Sequence, residues 1–373
     1  MTRRVRLQPA GPLLVALVAL VALLTLLSAQ PPGARPAASP ALTRTALLAP
    51  LATRSADDPI DRVVAISIDG LNPRAITTLG ARRTPTFHRL MRQGAFTLNA
   101  RTAREQTRTL PNHTGMLTGR RISARHGGHG VTYNADASGR TVHRSAGEYV
   151  SSVFDVVHDR GGRTALFSTK TKFALYARTW NANGAPDRIG RDDGRAKIDT
   201  FVVDTNATRL VAKATSYLRS RPGQFVFLHV ALPDEAGHAS GFMGKQYLAA
   251  VQRTDRLVGS VLATISAQPA LRADTLVLVT ADHGGKGASH SSAKRLQNYR
   301  VPLFAWGPGV AAGKDLYRLN PSRRDPGKHR TSYKGRQPIR NGDVANLVTD
   351  VLDLPRVPGA QFDADRKLTV FAR

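Results

Sequence analysis

The sequence has 373 residues, 41% of them apolar, no cysteine and a formal net charge of +28. Such a length and apolar share suit one large folded unit and argue against wholesale disorder. The lack of cysteine excludes disulfides, thiolate ligands and a cysteine nucleophile, so any metal must be held by His, Asp and Glu.

Arg3, Arg4 and Arg6 precede an uncharged, mostly apolar run from Pro9 to Ala29. Residues 1–29 therefore read as a signal peptide or N-terminal anchor. The protein is expected to be exported, either secreted or attached to the outer face of the cytoplasmic membrane. Residues 30–58 are rich in Pro, Ala, Ser and Thr and read as a disordered tether, leaving 59–373 as one folded domain.

From there strand-like and helix-like segments alternate. Val63–Ile68 is a short β-branched run ended by Asp69-Gly70. Thr84–Gly94 reads as a helix, and Pro111–Thr118 opens another with Pro in its first turn. Tyr149–Arg160 is helical, Thr164–Phe167 a strand and Thr205–Arg219 a helix. Phe225–Val230 is a buried strand leading to Asp234, and Lys245–Ala267 a long helix. Leu276–Thr280 is a buried strand leading to Asp282. Val301–Trp306 is a further strand and Val344–Leu352 a last helix. Continuous apolar strands between helices predict an α/β fold, with a mainly parallel central sheet covered by helices on both faces and no large extra domain.

Three separate strands thus each lead to a carboxylate: Asp69, Asp234 and Asp282. Ligands of open α/β sheets bind at the carboxyl ends of strands, and three aspartates gathered there need cations. His238 follows Asp234 by four residues, His283 follows Asp282 directly, and His290 lies in a Gly/Ser-rich loop. A His/Asp donor set suits zinc or a similar divalent ion. Thr109, just before a helix start in Thr107-Arg108-Thr109-Leu110-Pro111-Asn112-His113, is the nucleophile candidate, because N–H groups there favour an alkoxide and a bound phosphate. Asn112, one turn on, is placed to donate its amide to a phosphoryl oxygen.

These residues resemble the alkaline phosphatase superfamily, in its type I phosphodiesterase or nucleotide pyrophosphatase/phosphodiesterase branch. The shared segments, in order, are Ile68-Asp69-Gly70, Thr109-Leu110-Pro111-Asn112-His113, Pro233-Asp234-Glu235-Ala236-Gly237-His238 and Asp282-His283-Gly284. Thr118-Gly119 and Tyr247 also fall where that branch has similar residues. The resemblance covers roughly Ile60 to Val310. It implies two divalent metal ions. One would be held by Asp234, His238 and a late histidine, for which His290 is preferred over His329. The other would be held by Asp69, Asp282, His283 and the Thr109 oxygen. It implies a phosphoester hydrolase acting through a covalent phospho-threonine, with Asn112 stabilising negative charge. Leu110 stands where the branch usually has an aromatic residue. Sulfatases share the fold, but their Cys/Ser-x-Pro-x-Arg motif is absent.

His126, His129 and His113 read as structural, and Phe173 and Trp180 as core. Lys170 and Lys172 could reach a substrate phosphate, although exposed lysines usually do nothing specific. Asp255 is expected to pair with a neighbouring arginine, and Asn341-Gly342-Asp343 to form a turn and helix cap. The expected partner is a phosphorylated small molecule or polymer, with an anionic envelope surface favoured by the charge. No specific nucleic-acid binding is predicted. The competing readings are a phosphomonoesterase or phosphonate hydrolase of the same superfamily, and a non-catalytic cationic envelope-binding protein on the same fold.

Overall fold

A computed structural model describes residues 60–181 and 196–372; the export segment and tether expected over 1–58 lie outside the described residues. Eight strands form one sheet: β1 Arg62–Ile68, β2 Ala95–Arg101, β3 Thr164–Ser168, β4 Thr200–Val203, β5 Phe225–Val230, β6 Thr275–Thr280, β7 Arg300–Trp306 and β8 Lys314–Asp315. Their spatial order is β4-β3-β5-β1-β6-β7-β2-β8. The first five in that order run parallel. β7 pairs antiparallel with β6 and with β2, and β8 lies parallel beside β2. This is the expected α/β fold with a mainly parallel sheet.

The central strands are built for burial on both faces. Every residue of β3, β5 and β6 is buried, as is β1 beyond Arg62. Their Val, Ile, Leu and Phe run without polar alternation, which requires helices above and below. The 23-residue helix Lys245–Ala267 is the longest cover, with Tyr247, Val251, Val258, Val261, Leu262 and Ile265 on its buried stripe.

Several elements differ from the sequence reading. β2, β4 and β8 were not expected. β2 shows no clean alternation, because its register against β7 shifts between Thr97 and Ala100. A helix over Pro73–Arg83 was also missed, although Asn72 caps it by accepting from the Arg74 amide at 2.9 Å, with Pro73 following. Tyr149–Arg160 shrinks to Val153–His158, started by a capping box between Ser152 and Asp155. Asp255 does not pair with an arginine. Its carboxylate accepts from the Thr86 and Phe87 amides at 3.1 and 2.8 Å, capping the helix Pro85–Gln93.

The topology decides where chemistry can sit. β3, β5, β1 and β6 are consecutive parallel neighbours, and Ser168, His229, Ser67 and Thr280 are in register across them. The residues just beyond that row, at Lys170, Asp234, Asp69 and Asp282, therefore emerge side by side at one sheet edge. This is the carboxyl edge where open α/β sheets place their ligands.

Candidate active site

The turn after β1 fixes the first carboxylate. Gly70 has φ 71°, a conformation open to glycine, and its amide donates to Asp282 Oδ1 at 3.1 Å. Tyr247 Oη donates to the Gly70 carbonyl at 2.8 Å and accepts from the Asn72 amide at 2.8 Å. Asp234 enters through the first turn of the helix Leu232–Ser240, where its amide donates to the Asp69 carbonyl at 3.1 Å. Asp282 follows β6 directly, and Asn341 Nδ2 holds its segment by donating to the Ala281 and Asp282 carbonyls at 3.0 and 3.3 Å.

Five residues expected at the site come together. Asp69, Asp282 and His283 form one group able to hold a cation, and Asp234, His283 and His290 form another, each with ligand atoms within 4.8 Å of one another. His283 Nε2 lies 3.2 Å from Asp282, 3.3 Å from Asp69 and 4.0 Å from Asp234. It belongs between the two groups rather than to one of them. His238 joins the second group, with Nε2 at 3.4 Å from Asp234 Oδ1 and 3.0 Å from His290 Nε2. His329 is exposed and is held through its backbone, its carbonyl accepting from Arg101 Nε at 3.2 Å and its amide donating to the Pro326 carbonyl at 2.9 Å. The geometry therefore selects His290 between the two late histidines.

The donor atoms fit divalent cations. His283, His290 and His238 each place Nδ1 on a backbone carbonyl, those of Gly284, Thr107 and Ala288, at 2.8, 2.6 and 3.0 Å. Each Nδ1 thus carries the proton, and each Nε2 lone pair faces the cluster. His238 Nε2 and His290 Nε2 face each other at 3.0 Å, close enough for one proton or one shared cation to bridge them, and Asp234 raises the pKa of the His238 imidazole above its ordinary value. Asp69 Oδ1, Asp234 Oδ1, Asp282 Oδ2, His283 Nε2 and Thr109 Oγ1 are all buried without a hydrogen-bond partner. Five unsatisfied polar atoms from these motif residues carry a heavy desolvation cost unless cations repay it.

The electrostatics agree. Burial pushes the Asp69 carboxyl up, but Lys170, His229 and His283 outweigh it and hold it well below the usual range. Asp234 is raised by burial and by Asp69, yet His238, His283 and Lys170 bring it to about 2. Asp282, buried beside two other carboxylates, is raised well above the ordinary value. Burial and the neighbouring His290 lower His283 to about 3. Three carboxylates cannot all ionise here on the protein's own charges.

Thr109 is the first residue of the helix Thr109–Thr118, two residues earlier than the sequence suggested, and every residue of that helix is buried. Its segment is tied to the cation-binding loops. Its carbonyl accepts from His113 Nδ1 at 2.8 Å, and that nitrogen lies 3.6 Å from Asp282 Oδ2. Two residues earlier, Thr107 bonds His290 through both its carbonyl and its hydroxyl. Asn134 Oδ1 accepts from the Leu110 amide at 3.0 Å.

Asn112 is bonded to its own loop. Its Nδ2 donates to the Gln106 and Arg108 carbonyls at 2.9 and 3.0 Å, and its Oδ1 accepts from the Ala103 amide at 3.0 Å. Both its N–H hydrogens are engaged by backbone carbonyls, so it braces the loop that presents Thr109.

Three contributors were not read as site residues. Lys170 Nζ bridges Asp69 Oδ2 and Asp234 Oδ2 at 2.7 and 2.5 Å, so it is no idle surface lysine. His229, on β5, sets its Nε2 3.2 Å from Asp69 Oδ2. Phe242 fills the space beside three motif glycines: a Cβ on Gly70, Gly237 or Gly285 would come within 3.1, 2.6 or 2.3 Å of its ring. Ring and carboxylate neighbours of this kind depend on folding and leave no local signal. By contrast, His113, with Nε2 2.8 Å from Ser67 Oγ, is the buried hydrogen-bonding histidine that was expected.

Comparison with known proteins agrees with this architecture. Murine ectonucleotide pyrophosphatase/phosphodiesterase 5, solved as an inactive variant in complex with AMP, is 12% identical, with a TM-score of 0.54 over 83% of this chain and 100% of that one. The human counterpart is 13% identical, with a TM-score of 0.55 over 84% of this chain and 100% of that one. A putative sulfatase from Bacteroides thetaiotaomicron shares the fold at 16% identity, with a TM-score of 0.52 over 79% of this chain and 71% of that one. The profile of the type I phosphodiesterase / nucleotide pyrophosphatase family matches residues 63–334. The chain therefore belongs to that family and is a phosphoric ester hydrolase.

Proposed function

We propose that the enzyme cleaves phosphodiester or pyrophosphate bonds by transferring the phosphoryl group to Thr109 at a site holding two divalent cations, zinc by the nature of the donors. The observation that carries this reading is the set of five buried, unpartnered polar atoms on Asp69, Thr109, Asp234, Asp282 and His283. Asp234, His238 and His290 would hold one ion and Asp69, Asp282 and Thr109 the other, with His283 between them. When bound, the ions supply the positive charge that lowers the hydroxyl pKa and offsets charge building on the phosphoryl oxygens.

In the first half-reaction Thr109 Oγ1 forms a bond to phosphorus as the bond to the leaving oxygen breaks, and the hydroxyl proton ends on that oxygen. In the second, water attacks the phospho-threonine, its oxygen goes to phosphorus, and Thr109 regains a proton. Asn112 holds the Ala103–Arg108 loop so that Thr109 starts its helix in place. His113 anchors the Thr109 carbonyl, and His229 orients Asp69. The AMP complex of the murine relative supports a nucleotide as one substrate class.

Hydrolysis of bis(p-nitrophenyl) phosphate tests the assignment. Thr109→Ala should lower kcat by at least about a thousandfold while the protein still takes up zinc. Acid-quenched wild type should carry a p-nitrophenylphosphoryl group on the peptide containing Thr109. Equal turnover by both proteins would remove Thr109 from the chemistry.

A further inference from the structure

Lys170 stands out because of which oxygens it takes. Its ammonium contacts Oδ2 of Asp69 and Oδ2 of Asp234, one carboxylate from each cation-binding group. The other oxygens of the same two carboxylates, both Oδ1, are among the buried atoms without a partner. One lysine thus spans the two groups and leaves a free oxygen on each.

The backbone under it is fixed. The Lys170 amide donates to Ser168 Oγ at 3.0 Å, and Ser168 Oγ donates to the Lys170 carbonyl at 3.2 Å. The side chain above that turn is long and flexible, and it reaches the cluster from the accessible side. Its relative exposure is 18%, against 0% for Asp69 and 4% for Asp234. Asp282 has histidines as its ion-pair neighbours, and among the described residues Lys170 is the permanent cation in direct contact with the other two carboxylates, while Lys172 acts on the cluster from farther away, its Nζ bonded to Asn134. Buried anions left without a counter-charge would spread apart or take up protons.

We propose that Lys170 is a placeholder cation: its ammonium holds Asp69 and Asp234 together in the metal-free protein, and gives up that task when divalent ions bind. This rests on the reading of these carboxylates as metal ligands. It assigns Lys170 a positioning role before catalysis, during assembly of the site.

The proposal has a thermodynamic signature. If Lys170 stabilises the metal-free state more than the loaded state, its removal must destabilise the first and tighten metal binding by the same free energy. Zinc is titrated calorimetrically into chelator-stripped wild type, Lys170→Met and Lys170→Arg, and thermal unfolding is followed in EDTA and in saturating zinc. Lys170→Met should unfold about 2 °C below wild type in EDTA, match it in zinc, and bind zinc about tenfold more tightly. Lys170→Arg, which keeps the charge, should stay close to wild type. A Met variant that folds only with zinc is the same result in stronger form.

An equal loss in EDTA and in zinc, failure to fold in either, no loss in either, or weaker zinc binding by Lys170→Met would each overturn the placeholder role. If wild type takes up no zinc at all, the two-cation reading falls as well. Zinc uptake by wild type with unchanged affinity in the Met variant removes the placeholder alone.

Discussion

At the scale of single residues, protonation decides what the imidazoles can do. His238 and His290 both spend Nδ1–H on backbone carbonyls and face each other through Nε2 at 3.0 Å. A single ligand lost from such a pair loosens one ion and not the other. His290→Ala should bring the zinc content of the purified protein from two equivalents toward one, and His329→Ala should leave it at two, by elemental analysis. Loss of zinc from the His329 variant instead would reassign the last ligand. The aspartates and histidines were legible in the sequence because each sits in a short motif next to a strand end, where its chemistry needs no distant information. Lys170 was not, since a lysine's role depends on which carboxylates folding brings to it. The type and spacing of Asn112 suit two roles, and its three hydrogen bonds to backbone groups, which the sequence does not show, support the bracing one.

At the scale of elements, the loops carrying the ligands are held by one ring. Phe242 lies against Gly70, Gly237 and Gly285, one glycine from each carboxylate-bearing segment. Its amide also donates to the Gly287 carbonyl at 2.7 Å, fixing the loop that leads to His290. The motif glycines are therefore small because this ring occupies the space a Cβ would need. Phe242→Ala should cost about 3–5 kcal/mol in urea unfolding through the cavity it opens. Gly285→Ala should destabilise by overpacking, by about 1–3 kcal/mol. Together they should cost less than the sum, by about 1 kcal/mol or more, because the new methyl enters the space the ring vacates. Strictly additive costs would show that the ring and Gly285 do not compete for that space. The sequence disclosed the central strands, whose unbroken apolar runs have no other stable environment. It hid β2 and β4, because edge positions and an irregular register erase the pattern that would announce them.

At the scale of the whole molecule, the buried carboxylates and the net charge of +28 are separate matters. The excess of arginine and lysine cannot neutralise Asp69, Asp234 and Asp282, since these lie in the interior and Lys170 is the basic side chain that bridges two of them. On the two-cation reading, stability then depends on cations from solution. An ion that binds the folded state and not the unfolded chain adds about 2.7 kcal/mol when present at a hundred times its dissociation constant. Two such ions add about 5 kcal/mol, which in a domain of this size raises the unfolding temperature by roughly 5–10 °C. Calorimetry in EDTA should therefore show a fall on that order, reversed by zinc and only weakly by magnesium, which prefers oxygen donors over the imidazoles assembled here. Thr109→Ala should show nearly the same zinc-dependent rise, because six other side chains remain to hold the ions. An unfolding temperature indifferent to both chelator and zinc would mean that the carboxylate cluster holds itself together by some other route, and that the ions are not part of the native state.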